Sequence, residues 1–142
     1  YDIKGVAVQG VDSYHDEKEG KDRGVNILYR IDIDYLSVVH LGDLGHPLDN
    51  KQLEALAGTD ILLVPVGGKY TLDAEGAAEV IAQIEPRIVV PMHYKVPGLE
   101  LDIAGVDKFV KELGMTPREE EKLKISKKDL PQEDMELVIL KL

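Results

Sequence analysis

Ile61-Leu62-Leu63-Val64-Pro65-Val66, followed at once by Gly67-Gly68, is the stretch that decides the fold. A continuous apolar run of this length suits a strand buried on both faces. Downstream, Asp73 can cap a helix whose Ala74, Ala77, Ala78, Ile81 and Ala82 share one face, and Pro86 ends it. Ile88 to Val90 reads as a second short buried strand closed by Pro91. Asp102 is the expected cap of a third helix, with Val106, Phe109, Val110 and Leu113 at helical spacing and Gly114 past its end. Residues 116–134 are highly charged and expected to face solvent, and 136–142 (ELVILKL) read as a final strand.

Upstream of the run, Asp49 and Gln52 form a capping box, and Leu48 with Leu53 a hydrophobic staple, for a short helix over Asn50 to Ala57 that stops at Gly58. Before it the chain reads as strands. Val6, Val8 and Val11 mark the first, Val25 to Ile33 (VNILYRIDI) the second and Leu36 to Leu41 (LSVVHL) the third, with Asp34-Tyr35 at the hairpin turn. Asp12 to Gly24 is a polar loop between the first two. The order β-β-β-α-β-α-β-α-β predicts an α/β chain: a mixed sheet with helices packed on one face.

The 142 residues include 17 Lys+Arg and 27 Asp+Glu, a formal charge of −10, and no Cys. The length suits one domain of roughly 100–200 residues. Hydrophobic residues make up 44%, enough to build a core rather than a disordered chain. Disulfides, thiolate metal sites and Cys nucleophiles are excluded. The acidic balance argues against a nucleic-acid or anionic-membrane surface. No apolar run approaches the roughly 18–20 residues that span a bilayer, and no leader pattern is visible. The expectation is a cytoplasmic-type protein without membrane partners. The chain opens on Tyr1 rather than Met, which raises the expectation of a fragment.

Three polar residues stand at strand ends: His15, Asp43 in His40-Leu41-Gly42-Asp43-Leu44-Gly45-His46, and His93 in Pro91-Met92-His93-Tyr94. They could converge on one sheet edge. Imidazole and carboxylate are ligands that zinc and similar cations accept. Spacing alone is a weak signal. An isolated His is more often a hydrogen-bonded surface residue, and an Asp beside glycines more often a turn former. His40 lies inside a strand and His46 precedes Pro47, so both read first as structural, with a role behind a ligand residue as the alternative. Gly67-Gly68 could cradle a phosphate, but no basic P-loop pattern follows.

Taken in order, SYHDEKEGKDRG, HLGDLGH, PVGGKYTLDA and PMHYK resemble the metallo-β-lactamase superfamily, and more closely its Zn-dependent hydrolase branch related to ascorbate-phosphate lactonase. The resemblance covers nearly the whole chain. It implies an αββα sandwich with a two-metal centre at one edge, holding Zn2+ or alternatively Mn2+, Fe2+ or Ni2+. It implies hydrolysis of an ester, lactone, amide or phosphodiester by a metal-bound hydroxide. Residue by residue, it implies that His15 completes the first metal site, Asp43 bridges both ions and His93 belongs to the second. Lys69, Tyr70, Tyr94 and Lys95 flank these positions and are the candidates to touch a small-molecule substrate.

The family's His-x-His-x-Asp-His motif is absent from this sequence. The chain therefore reads as the carboxy-terminal part of one incomplete domain over residues 1–142. On that reading it binds metal weakly or not at all alone, hydrolyses little, and its uncovered sheet face associates with the missing segment or with a second copy. The alternative is a non-catalytic α/β assembly domain whose metal residues are relics.

Overall fold

The computed structural model describes residues 2–141, and for Asp2 the backbone only; Tyr1 and Leu142, the ends of the sequence reading, lie outside the described residues. The strands are β1 (Asp2–Ile3), β2 (Val6–Tyr14), β3 (Val25–Ile33), β4 (Leu36–His40), β5 (Ile61–Pro65), β6 (Ile88–Met92), β7 (Arg118–Glu120) and β8 (Glu136–Leu140). The helices are α1 (Asn50–Ala55), α2 (Ala74–Ile84) and α3 (Val106–Leu113). Among the described residues the strands form one mixed sheet in the order β1-β2-β3-β4-β5-β6-β8-β7. The first four are an antiparallel meander, and β4, β5, β6 and β8 run parallel.

The apolar run at 61–66 does become a strand covered on both sides. Leu62 and Val64 are fully buried on one face and Ile61 nearly so on the other. On the first face they join Leu28, Val39, Val89 and Leu137 beneath Ala77 and Val80 of α2 and Phe109 of α3. All three helices follow parallel strands and pack on this side. The capping box of α1 forms as the sequence predicts: Gln52 donates its N–H to the Asp49 carboxylate, and Asp49 donates its N–H to Gln52 Oε1. On the second face a smaller cluster joins Ile61, Ile88, Val90 and Val138 to Leu130.

Four expectations need correction. Asp102 does not cap α3: the cap is Gly105, and Asp102 instead meets Lys69 at 3.5 Å. An N-cap must sit directly before the first helical turn, and buried Ile103 intervenes. Residues 116–134 are not simply solvated. They supply β7 and a short 3-10 turn over Lys127–Asp129, and they lay Leu123, Ile125 and Leu130 on the second sheet face. In that turn Asp129 accepts the Ser126 hydroxyl and N–H, which holds its carboxyl below the ordinary value. Pro91 does not close β6, which continues through Met92. A proline is tolerated there because β6 needs donors on only part of its length. Finally, α1 ends at Ala55 rather than Ala57.

Among the described residues no helix covers the second face over β2 and β3. Ile27, Tyr29 and Ile33 are 42%, 43% and 37% exposed there. The second sheet of an αββα sandwich is not among the described residues. No described helix is long and apolar enough to cross a membrane.

Candidate metal centre

Strand direction explains why three distant residues meet. β4 and β6 run parallel to β5, so their carboxyl ends share an edge. β3 is antiparallel to β4 and β2 antiparallel to β3, so β2 ends at that same edge. His15 directly follows β2, Asp43 lies just beyond β4, and His93 directly follows β6.

The Asp43 carboxylate lies between the two imidazoles. Its Oδ2 is 3.4 Å from His15 Nε2 and its Oδ1 is 3.9 Å from His93 Nε2. Both separations exceed a normal hydrogen bond. The rings are only 23% and 30% exposed, and the carboxylate is 48% exposed. Nδ1 of each ring is buried and has no hydrogen-bond partner. Buried polar atoms are nearly always satisfied, so an unpartnered Nδ1 on each of the two rings whose Nε2 faces the carboxylate is unusual. Two imidazoles and a carboxylate are donors that Zn2+, Mn2+, Fe2+ and Ni2+ accept. The carboxylate turns one oxygen toward each ring, which fits a bridging role. The donors do not close a cage: among the described residues no three His, Cys, Asp or Glu side chains form a metal-holding group.

Main-chain contacts set the spacing of these rings. Gly45 donates its N–H to Tyr14 O at 3.1 Å. A Cβ at Gly45 would stand 2.6 Å from the His15 carbonyl carbon and oxygen, and one at Gly67 would press into the His93 carbonyl. Both glycines therefore let a histidine-bearing strand end lie against another loop. His93 itself has φ +53, in the left-handed region. That conformation costs a non-glycine residue about 1–2 kcal/mol, and it turns the chain sharply as β6 ends.

Three further side chains hold backbone around the Asp43 loop, and of these the sequence reading missed Asn26. Asn26, on β3, accepts the Asp43 N–H at 3.1 Å and donates to Leu41 O at 2.9 Å and Ser13 Oγ at 3.0 Å. His40 Nδ1 accepts the Gly42 N–H at 3.0 Å. His46 Nε2 accepts the Tyr14 N–H at 3.0 Å, and its Nδ1 lies 2.6 Å from Pro47 O. Each of these two histidines therefore hydrogen-bonds backbone beside the site.

Asp16 is also buried, directly after His15. One oxygen accepts the N–H groups of Lys18 and Gly20, and the other those of Asp22 and Arg23, at 2.7–3.0 Å. Burial alone would raise its pKa, but the four donors outweigh that and bring it down to about 2. The only sequence signal is an Asp followed by Gly20 and Gly24 in a polar loop.

The four candidate substrate residues divide. Lys69 and Tyr70 line a cleft of about 220 Å3 that also contains His15. Tyr94 packs against the main core, and burial raises its hydroxyl pKa. Lys95 turns its ammonium to Leu101 O at 3.2 Å. A larger cleft of about 400 Å3 opens at the other end of β5 and β6, between Asp60, Arg87 and Lys127. There Asp60 meets Arg87 and Lys127 at 3.9 and 3.4 Å, so the charges answer one another.

Comparison with known proteins adds the following. A family model described as a β-lactamase superfamily domain matches residues 1–93, a span containing His15, Asp43 and His93. A protein of Thermococcus onnurineus named as a metal-dependent hydrolase is 35% identical over 112 residues, covering 77% of this chain and 50% of that protein. One of Methanopyrus kandleri with the same kind of name is 29% identical over 120 residues, covering 80% and 52%. The chain thus spans about half the length of the curated relatives it matches. Among solved structures, a Thermotoga maritima protein assigned to the metallo-β-lactamase superfamily superposes with a TM-score of 0.84 at 33% identity. That match covers 99% of this chain and 67% of the other.

Proposed function

We propose a function from one premise: this chain belongs to the β-lactamase superfamily, and it shares the metallo-β-lactamase fold. It is a metal-dependent hydrolase of that superfamily in its broad class. More specifically, it contributes His15, Asp43 and His93 to a centre for divalent cations, zinc first among them. The observation that carries this reading is the Asp43 carboxylate set between two imidazoles, each with an orphaned buried Nδ1.

A bound divalent cation supplies a water acidic enough to ionise near neutral pH and a Lewis acid for an oxygen that gains charge. The chain's own residues do the rest. His15 and His93 act as neutral nitrogen donors. Asp43 keeps their separation fixed and is the catalytic carboxylate of this reading. Asn26 accepts the Asp43 N–H and His40 the Gly42 N–H, which holds the loop that carries the carboxylate. The substrate bond is an ester, lactone, amide or phosphodiester, and Lys69 and Tyr70 face it from the shared cleft. Two imidazoles and one carboxylate are few donors for two ions, so the remaining ligands come from the further sequence that the longer relatives contain. The open apolar face of β2 and β3 is where such sequence, or a second copy, would pack.

Titration calorimetry with zinc tests the reading. The 142-residue chain should bind zinc weakly, with Kd above roughly 10 μM because so few donors are preformed, and Asp43→Asn should abolish the heat. Unchanged zinc binding by Asp43→Asn removes Asp43 from the site and the reading with it. The open apolar face favours a second reading, a non-catalytic assembly domain. That reading gains if neither the wild type nor a longer chain carrying the remaining family sequence binds zinc.

A further inference from the structure

The cleft that contains His15 has a wall no motif explains. Arg23 comes from the loop between β2 and β3, and its guanidinium carbon stands 5.3 Å over the centre of the Tyr70 ring. Lys69 Nζ stands 5.6 Å from the same ring centre. Both cations line the cleft with His15. In a chain of net charge −10, two cations gathered on one aromatic ring beside a candidate metal centre call for a cause.

Three acids also line this cleft, so the balance must be taken pair by pair. Asp16 spends its two oxygens on four backbone N–H groups. Asp22 takes the Lys18 ammonium at 3.1 Å. Glu17 sits exposed. Lys69 is loosely paired with Asp102, which is 92% exposed, at 3.5 Å. Among the described residues Arg23 makes no salt bridge, and its side chain makes no hydrogen bond; its guanidinium lies over the Tyr70 ring. A guanidinium stacked on a ring keeps its planar fork of N–H donors free and loses little entropy when it binds. The backbone beneath it is fixed as well, because Arg23 donates its own N–H to Asp16 at 2.7 Å.

We propose that Arg23, stacked on Tyr70 and aided by Lys69, is a specificity-determining anion receptor beside the metal centre. It takes an oxyanion group, phosphate or carboxylate, carried by the substrate away from the bond that is cut. Asp16 is its positioning residue. The chemistry is that of a planar fork meeting two oxygens, strengthened by a nearby ammonium. The assignment of a substrate rests on the hydrolase reading, whereas anion capture by Arg23 does not.

The test uses the whole chain freed of metal on a chelating resin, so neither a cation nor a soluble chelator contributes. Inorganic phosphate and acetate are titrated separately while the backbone N–H resonances of the cleft-lining residues Lys18, Asp22, Lys69 and Thr71 are followed by NMR. One of the two anions should saturate the signal, and the tighter of them identifies the oxyanion. Arg23→Gln should weaken binding about tenfold or more, as expected for loss of a bidentate charged contact. Tyr70→Leu should weaken it less, and Tyr70→Phe should retain it because the ring remains. Asp43→Asn should retain anion binding while losing zinc binding, which separates this proposal from the metal reading. Equal binding by wild type and Arg23→Gln overturns the proposal, as does a signal that saturates with neither anion.

Discussion

The two faces of β3 reverse the usual rule for a sheet. Toward the helices it presents Asn26, Leu28, Arg30 and Asp32, and of these only Leu28 is apolar. Away from them it presents Val25, Ile27, Tyr29, Ile31 and Ile33, four of which are 37–77% exposed. The polar face is the one inside. It is tolerable there because every polar group has work. Arg30 donates to the carbonyls of Ala55 and Ala57 at the end of α1 and to Ser37, and Asn26 holds the Asp43 loop. The apolar face is the one outside, which is what a sheet looks like before a second layer is laid on it. Burial of apolar area and satisfaction of polar groups are thus handled on opposite sides of one strand.

The contrast can be broken most forcefully at Leu28, which is fully buried. Leu28→Ala should cost about 2–5 kcal/mol of unfolding free energy, the range for a core cavity. A loss below about 1 kcal/mol in urea denaturation would mean the helix-side face is not packed as described. Arg30→Met keeps much of the volume but removes the donors to the α1 carbonyls. A loss of about 1–3 kcal/mol is expected, together with faster hydrogen exchange at the end of α1. Asn26→Ala should cost about 1–2 kcal/mol. It should also weaken zinc binding further, because Asp43 loses its backbone anchor; stability loss without any change in zinc heat would make Asn26 a purely structural residue. The smallest effect is predicted for the pair Ile27→Thr and Tyr29→Thr on the open face. Unfolding free energy should move by only about 0.5 kcal/mol per site. Sedimentation should show less self-association, and undiminished association would place the contact elsewhere.

Much of the scaffold was legible because its signals are local. The capping box at Asp49 and Gln52, the apolar run at 61–66 and the left-handed stop at Gly114 each lie within a few residues of what they decide. The contents of residues 116–134 were not legible. There Leu123, Ile125 and Leu130 are spaced among charges with no clean period, and only the sheet face they cover gives them a side. Asp102 misled for a related reason: capping residue types are common, and their position relative to the first turn decides. At the site, His15, Asp43 and His93 could be named because each stands at a strand end and because the motif order resembles a known family. Asn26 could not, since its partners are 13, 15 and 17 residues away and an Asn in a strand carries no signature. Asp16 and Arg23 were hidden in a loop whose order depends on a single buried carboxylate.

The topology also sets a schedule. β2, β3 and β4 are joined by a ten-residue loop and a tight turn, so their pairing closes short loops. β4, β5, β6 and β8 pair only after crossovers carrying helices, and non-local pairing is slow. His15 and Asp43 therefore come together with the early meander, while His93 arrives with the last strands to dock. Pulse-labelled hydrogen exchange during refolding should protect Val25–Ile33 before Ile88–Met92. A nascent chain leaving the ribosome would then hold one imidazole and the carboxylate in place before the second imidazole is ready, so the candidate site is assembled only when β6 docks.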